Sequence, residues 1–381
     1  MATNVYFTLL LNSCIVKFEL ENMPKDINTL RSVIWTVVTT SGETRSAILN
    51  LNVLTWGQSS VNLTAYLAFD PTVMNIAAGR KIKVTVIGSD DSYEWSTTVQ
   101  NGKNYEAGKR YTGTINNDWT TAKVEFRYTI IPDMNNRQYK IRQEDVSSIS
   151  PGNLTINWGD GKPNTTIVKG DTLSQVIASH VYSSINIYTI TITSDQVDPT
   201  LKQIPQLTFF NKSTGMGDKL LRKIIDPFPN MGATDLGYCF GDCTGLNTIP
   251  AGLFQNNNQV TSFNHCFVRC TLLTSIPEVL FSNNPAATDF VSCFRNCINL
   301  TLRSDIFPDP TTNPDFFANR TMSFGYCFYN VGSEPSATAG TAPELWRFTG
   351  GGNGGATTWY ISSCFKNANV TNYNAIPNNW E

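Results

Sequence analysis

Charge is scarce in this sequence. Asp, Glu, Lys and Arg make up 15% of the 381 residues, and 28 basic against 30 acidic side chains leave a formal net charge of −2. No basic run or stripe is present, so the electrostatic footprint of a nucleic-acid-binding protein is missing, and nothing favours attachment to an anionic membrane surface. No apolar run approaches the roughly 20 residues that span a bilayer. Histidine occurs twice, at His180 and His265, which leaves little material for acid–base or metal chemistry. No glycine-rich phosphate loop precedes a helix: Gly350–Gly355 lacks a strand–helix context and reads as a flexible loop. No cofactor is called for.

What is present is a folded, turn-rich composition: 41% apolar residues, 26 Gly and 18 Pro. Asn and Thr occupy many polar positions, which suits short strands joined by turns. The chain is too long for one compact core, and about two to four domains are expected. Near its start, Val5–Cys14 ends in Leu-Asn-Ser-Cys, like a short lipoprotein signal. It lacks a basic n-region, and the strand-like Ile15, Phe18 and Leu20 follow at once, so a first β-strand is favoured over a processing site.

Residues 1–122 are expected to form a β-sandwich. Ser32–Thr39, Ala47–Leu54, Asn62–Phe69 and Lys81–Ile87 are β-branched, alternating and separated by turn residues. Strands at this spacing suggest two packed sheets rather than βαβ units. Tyr105-Glu106-Ala107-Gly108-Lys109-Arg110-Tyr111, followed by the alternating Thr112–Ile115, resembles the entry to a late strand in bacterial fimbrillin-like proteins. The competing reading is any Ig-like sandwich.

Residues 123–197 form a second β unit. Leu154–Trp158 alternates, Gly159-Asp160-Gly161 is a tight-turn signal, and His180-Val181-Tyr182 precedes the alternating Tyr188–Thr193. The trio resembles PKD-type Ig-like domains, a resemblance that implies a spacer or adhesive module on an exposed protein.

Residues 198–381 carry an internal repeat. Cys239-Phe240, Cys266-Phe267, Cys293-Phe294, Cys327-Phe328 and Cys364-Phe365 recur at intervals of 27, 27, 34 and 37 residues. Around each pair apolar residues fall at i, i+3, i+4 and i+7, as in Leu236, Cys239, Phe240 and Cys243. That spacing predicts one face of a short helix. Leu246–Pro250 and Leu273–Pro277 follow as Leu-x-x-Ile-Pro, with Leu-Phe and an Asn-rich turn after them, and Leu201–Pro205 suggests that the array begins near residue 200. A unit with one apolar helix face and one extended segment cannot bury either alone, so stacking must complete the core. The pattern resembles BspA-like leucine-rich-repeat surface proteins. It departs from them after Leu300, where Arg303 replaces the expected Ile-Pro, and loop-bearing or capping units are expected there. The fold class expected is therefore multi-domain: two all-β Ig-like sandwiches followed by an α/β leucine-rich-repeat-like solenoid.

The candidate chemistry is thin. Three Cys-x-x-x-Cys pairs invite a metal or disulfides, but the spacing is unlike zinc knuckles, and buried core thiols are the favoured reading. Cys266 beside His265 suggests a nucleophile pair, yet Cys266 obeys the repeat, whereas a catalytic residue should break it. His180 is expected to pack and hydrogen-bond. Asp160 alone falls far short of a calcium cage, and a turn-stabilising role is favoured. Asp90-Asp91 and Glu144-Asp145 read as solvated charge. Around the C-terminal glycine loop, Trp346, Phe348, Trp359 and Tyr360 form a candidate ligand patch; the competing reading is that they close the end of the repeat array, as Trp380 does.

The function expected is non-enzymatic: a bacterial cell-surface adhesion or binding protein, extracellular, that presents its repeats to a glycan or protein ligand on a host or bacterial surface, with a homo-oligomer or filament left open. The alternative is a phage virion fibre or decoration protein, favoured by a start at Met1 without a signal. The third reading, a glycan-degrading enzyme, requires a carboxylate pair in a cleft.

Overall fold

In the computed structural model, the residues described are 14–21, 29–38, 44–55, 63–69, 76, 78–88, 92–101, 105–106, 109–116, 120–352 and 358–381. The chain is mostly β, with several antiparallel sheets, and divides into two compact units, Met1–Lys123 and Val124–Glu381. Of the stretch that resembles a processing site only Cys14 is described, as the first residue of a strand. Asp90-Asp91, Ala107-Gly108 and Asn353–Gly355 lie outside the described residues.

The first unit contains β1 (Cys14–Glu21), β2 (Thr29–Val38), β3 (Thr44–Thr55), β4 (Leu63–Phe69), β5 (Lys81–Gly88), β6 (Ser92–Thr98), β7 (Arg110–Asn116) and β8 (Thr120–Thr121). One sheet runs β3-β2-β5-β6-β8 and the other β4-β1-β7, with β1 and β7 parallel. Alternation sends Val33, Trp35 and Val37 of β2 and Val84 and Val86 of β5 inward. There they share a buried cluster with Val16 and Leu20 of β1. Trp35 meets Tyr105 edge to face, ring centres 5.6 Å apart.

The second unit starts with β9 (Val124–Ile130), β10 (Gln138–Ile149), β11 (Leu154–Asn157), β12 (Thr165–Ile167), β13 (Thr172–Val181) and β14 (Tyr188–Ser194). It continues with β15 (Leu207–Thr208), β16 (Phe210–Asn211), β17 (Met216–Gly217) and β18 (Leu221–Ile224). The sheets are β12-β11-β14-β9-β18 and β13-β10-β15. Because β18 pairs with β9 and Phe228 packs on Phe126 at 5.1 Å, the core does not break at residue 197. One buried cluster runs from Phe126 to Trp380.

Beyond β18 the chain winds into stacked coils, and the predicted helices are absent. Among the described residues no α-helix occurs; the only helical pieces are 3₁₀ turns at Leu345–Arg347, Tyr373–Ala375 and Asn378–Trp380. The correction has a backbone cause. Two residues per coil adopt positive φ, one before the Cys of each Cys-Phe pair and one four residues later: Tyr238 and Asp242, His265 and Arg269, Ser292 and Asn296, Tyr326 and Asn330, Ser363 and Asn367. A right-handed helix cannot contain them.

Alternate amides then take different partners. The Tyr238, Phe240 and Asp242 amides donate to Asn264, Cys266 and Val268 of the next coil at 2.8–2.9 Å, while the Cys239, Gly241 and Cys243 amides close turns onto residues three back at 2.8–3.1 Å. The turns close every two residues and their positive-φ position recurs every four, so they turn i, i+3, i+4 and i+7 inward, just as a helix does.

Parallel bridges link Asp235, Ser262, Asp289, Ser323 and Tyr360 in succession. Inside the stack Phe240, Phe267, Phe294, Phe328 and Phe365 form a face-to-face ladder with centres 5.1–5.8 Å apart. Phe254, Phe281 and Phe307 form a second, at 5.8 and 5.4 Å. Each stacked pair adds roughly 0.5–1.5 kcal/mol beyond the apolar area it buries. Where the Ile-Pro motif lapses, Leu302 still turns inward and Arg303 pairs outward with Asp305.

Candidate binding face

The aromatic residues expected to form a ligand patch are mostly interior. Trp346, Phe348 and Trp359 are 3–5% exposed. Trp359 lies against Phe317 and Phe324, and Trp346 against Phe365 and Trp380. Trp346, Trp359 and Trp380 pack together beyond the last Cys-Phe pair, which removes Trp346, Phe348 and Trp359 from the surface. Tyr360, 46% exposed, is the exception. Its ring covers Gly325, where an added Cβ would lie 2.1 Å from a ring carbon.

The repeated cysteines are interior too. Cys239, Cys243, Cys266, Cys270, Cys293, Cys297, Cys327 and Cys364 are buried free thiols. Cys270 Sγ donates to Phe240 O and Cys297 Sγ to Phe267 O, both at 3.1 Å, one coil back. Burial pushes these thiols well above their usual range, Cys297 to about 12. A thiol held protonated is a poor nucleophile and a poor metal ligand. His265 and Cys266 face opposite ways: His265 stacks on Tyr238, centres 4.6 Å apart, whereas Cys266 is fully buried.

In the Trp-Gly-Asp-Gly turn, Gly159 sits at φ +78°, and an added Cβ would meet Thr189 O at 2.4 Å. Asp160 accepts from the Lys162 amide at 3.2 Å and shares a 2.8 Å bond with His180 Nε2. Burial pushes the Asp160 pKa up, but these bonds and the neighbouring charges outweigh it and leave it below the usual value. His180 stacks on Trp158 at 4.9 Å, and Tyr182 Oη donates to Trp158 O at 2.9 Å. The acid, histidine and tyrosine thus lock the turn to β13, and Asp160 is spent on partners within its own chain rather than offered to an ion.

A depression of about 250 Å³ is lined by Arg142, Phe209, Asn211, Asp218 and Lys219, among others. Asp218 has a pKa raised by burial. Its carboxylate takes the Leu220 amide at 2.9 Å, with Tyr139 and Arg142 also acting on it. It anchors the crossing from sandwich to coils.

What remains open is the outer side of the coils. Residues just before each Cys (Tyr238, His265, Ser292, Tyr326, Ser363) and just after each Phe (Gly241, Val268, Arg295, Tyr329, Lys366) form two neighbouring columns, in which Ser292, Gly241 and Val268 are buried and the other seven reach the surface. Phe210, Tyr238 and His265 overlap at 4.9 and 4.6 Å. Arg295 lies over the rings of Tyr326 and Tyr329 at 5.2 and 5.3 Å. Sequence reasoning assigned binding to a wide, Asn/Thr-rich face of the repeats but did not name these residues, because it sought aromatic clusters beside a loop. Reading outward offsets from the Cys-Phe pair would have revealed it.

Comparison of the chain with protein-family models, with curated proteins and with solved structures gives no match.

Proposed function

We propose that this is a non-enzymatic surface-binding or adhesion protein, with two Ig-like sandwiches supporting a leucine-rich-repeat-like solenoid of the kind carried by BspA-like surface proteins. One observation carries the reading. The inward columns repeat the same Cys and Phe in all five coils, while the flanking columns change from coil to coil: Tyr238, His265, Tyr326 and Ser363 in one and Arg295, Tyr329 and Lys366 in the other reach the surface, whereas Ser292, Gly241 and Val268 are buried. Such a scaffold separates folding from recognition, as expected where a stacked array displays an extended contact surface. Its carboxylates with displaced pKa values, Asp160, Asp218, Asp305 and Asp309, are engaged within the fold, which supports binding without chemistry. The ligand is a glycan or protein on a host or bacterial surface.

The test uses the full chain on arrays of glycans and of extracellular proteins, beside a variant carrying Tyr238→Ser, Tyr326→Ser and Tyr329→Ser, with thermal melting of both. Loss of about tenfold or more in binding, with a cooperative melt retained, is expected. Unchanged binding by a folded variant overturns the reading.

A further inference from the structure

Arginines on the coils generally have partners. Arg269 forms a bidentate pair with Asp242, Arg303 pairs with Asp305 and Arg347 with Glu344. Arg295 does not. Its guanidinium lies over Tyr326 and Tyr329, whose ring centres are 5.8 Å apart. Among the described residues it makes no ion pair, and its buried Nε has no hydrogen-bond partner. The two rings fix the cation's position by cation–π attraction without neutralising it. Such a group, half-desolvated and held in place, loses little entropy on meeting an anion, and its planar fork matches a carboxylate.

The surroundings select the kind of anion. Asn330 Nδ2 donates to Asn296 Oδ1 at 3.2 Å, which leaves Asn296 Nδ2 on Arg295's own coil and Asn330 Oδ1 on the next coil available; an amide N–H₂ and an amide carbonyl suit hydroxyl groups. Tyr326 and Tyr329 offer apolar ring surface beside them. The next cation along the face, Arg269, is already spent on Asp242, and Lys366 lies two coils away, since Asn330 N bonds Lys366 O one coil beyond Asn296. His265 has its pKa lowered, by burial first and then by the Arg295 charge, and so adds no fixed positive charge at neutral pH. One fixed cation amid neutral hydrogen-bonding groups fits a ligand with isolated carboxylates on a hydroxylated body better than a dense acidic peptide.

We infer that Arg295, clamped by Tyr326 and Tyr329, is the anchor of a binding site for carboxylate-bearing sugars, namely polysaccharides containing uronic or similar acidic residues. The inference rests on the outer coil face being a binding surface and names its ligand class.

The experiment titrates the full chain, in buffer with EDTA, with polygalacturonate, with dextran as a neutral polysaccharide and with poly-glutamate as an acidic peptide. The native chain, Arg295→Gln and Arg295→Lys are compared, with melting curves as a folding check. Polygalacturonate is expected to bind about tenfold or more tighter than dextran. Arg295→Gln should abolish that preference, and Arg295→Lys should keep part of it. Polygalacturonate bound equally by the native chain and a folded Arg295→Gln, no binding of polygalacturonate, or equal binding of poly-glutamate each overturns the assignment. The two levels separate cleanly. Neutral-glycan binding that survives Arg295→Gln but is lost when Tyr238, Tyr326 and Tyr329 are replaced removes the acidic-sugar assignment and leaves the binding face. Glycan binding that survives all of these replacements removes the face itself.

Discussion

Phe240 and Phe267, 27 residues apart in sequence, stack at 5.1 Å with planes 8° apart. The same pair of coils is joined through the backbone, since Phe240 N donates at 2.8 Å to the carbonyl of Cys266, the residue before Phe267. Ring and amide fix the same register, so a side chain and a hydrogen bond report one stacking step together. A coil seated one residue out of register breaks both.

The ladder therefore predicts where stability is concentrated. Phe267 stacks on Phe240 and Phe294, both at 5.1 Å, and is fully buried. Phe267→Ala should cost about 3–5 kcal/mol in chemical denaturation of the second unit, and Phe267→Leu clearly less. A loss below about 1 kcal/mol for the alanine variant contradicts the packing described.

Buried asparagines tie the opposite edge of the coils. Asn257, 2% exposed, donates to Pro229 O at 2.9 Å and accepts from the Met231 amide at 2.9 Å. Asn284 repeats the step by donating to Asn257 O at 2.9 Å. Asn257→Ala leaves a buried carbonyl and a buried amide without partners and should cost about 2–4 kcal/mol, from roughly 1–3 for each orphaned group. The adjacent, exposed Asn258→Ala should stay within about 0.5 kcal/mol of the parent. Equal effects at the two positions contradict the ladder.

Asp160 gives a pH signature. Its folded pKa lies below the ordinary 3.8, so the folded state binds the proton less readily than the unfolded chain does. The stability it contributes is present above pH 3.8 and is lost as pH falls through the lowered folded value. Asp160→Ala should destabilise the second unit at pH 6, and the gap to the parent should narrow as pH falls below 3.8. Parallel stability–pH curves for the two proteins contradict the Asp160–His180 lock.

Much of this architecture is legible in the sequence, and the misreadings are specific. Alternation located β5, β11 and β14 to within a residue and β2 and β3 to within three residues at their starts, because one buried face per strand enforces a period of two. Leu154 and Ile156 point in, Thr155 and Asn157 out. The Cys-Phe spacing located the inward residues correctly but assigned them a helix. Periodicity senses which side chains are buried and is blind to the sign of φ, and β-turns that place Asp242 and Asn296 at positive φ reproduce the helical spacing. Asn or Asp at four of the five second positive-φ sites was the available clue, since these residues tolerate the left-handed region best. The aromatic patch failed because Trp346 and Trp359 near a glycine loop look the same in sequence whether they face solvent or plug the last coil. The core shared across residue 197 could not be read at all, since the β9–β18 pairing joins segments about 95 residues apart.

The most direct test of the account counts accessible thiols by Ellman titration of the native, reduced chain, with and without added zinc, and again in 6 M guanidinium. All nine cysteines should react in denaturant. In the native state the eight of the repeats should stay silent over the time in which a free thiol reacts fully, leaving at most Cys14 to react, and zinc should change nothing. Rapid native labelling of Cys266 or its repeat equivalents, or tight stoichiometric zinc uptake, would show that the sulfurs are not interior packing and would contradict the non-catalytic, coil-stacking account.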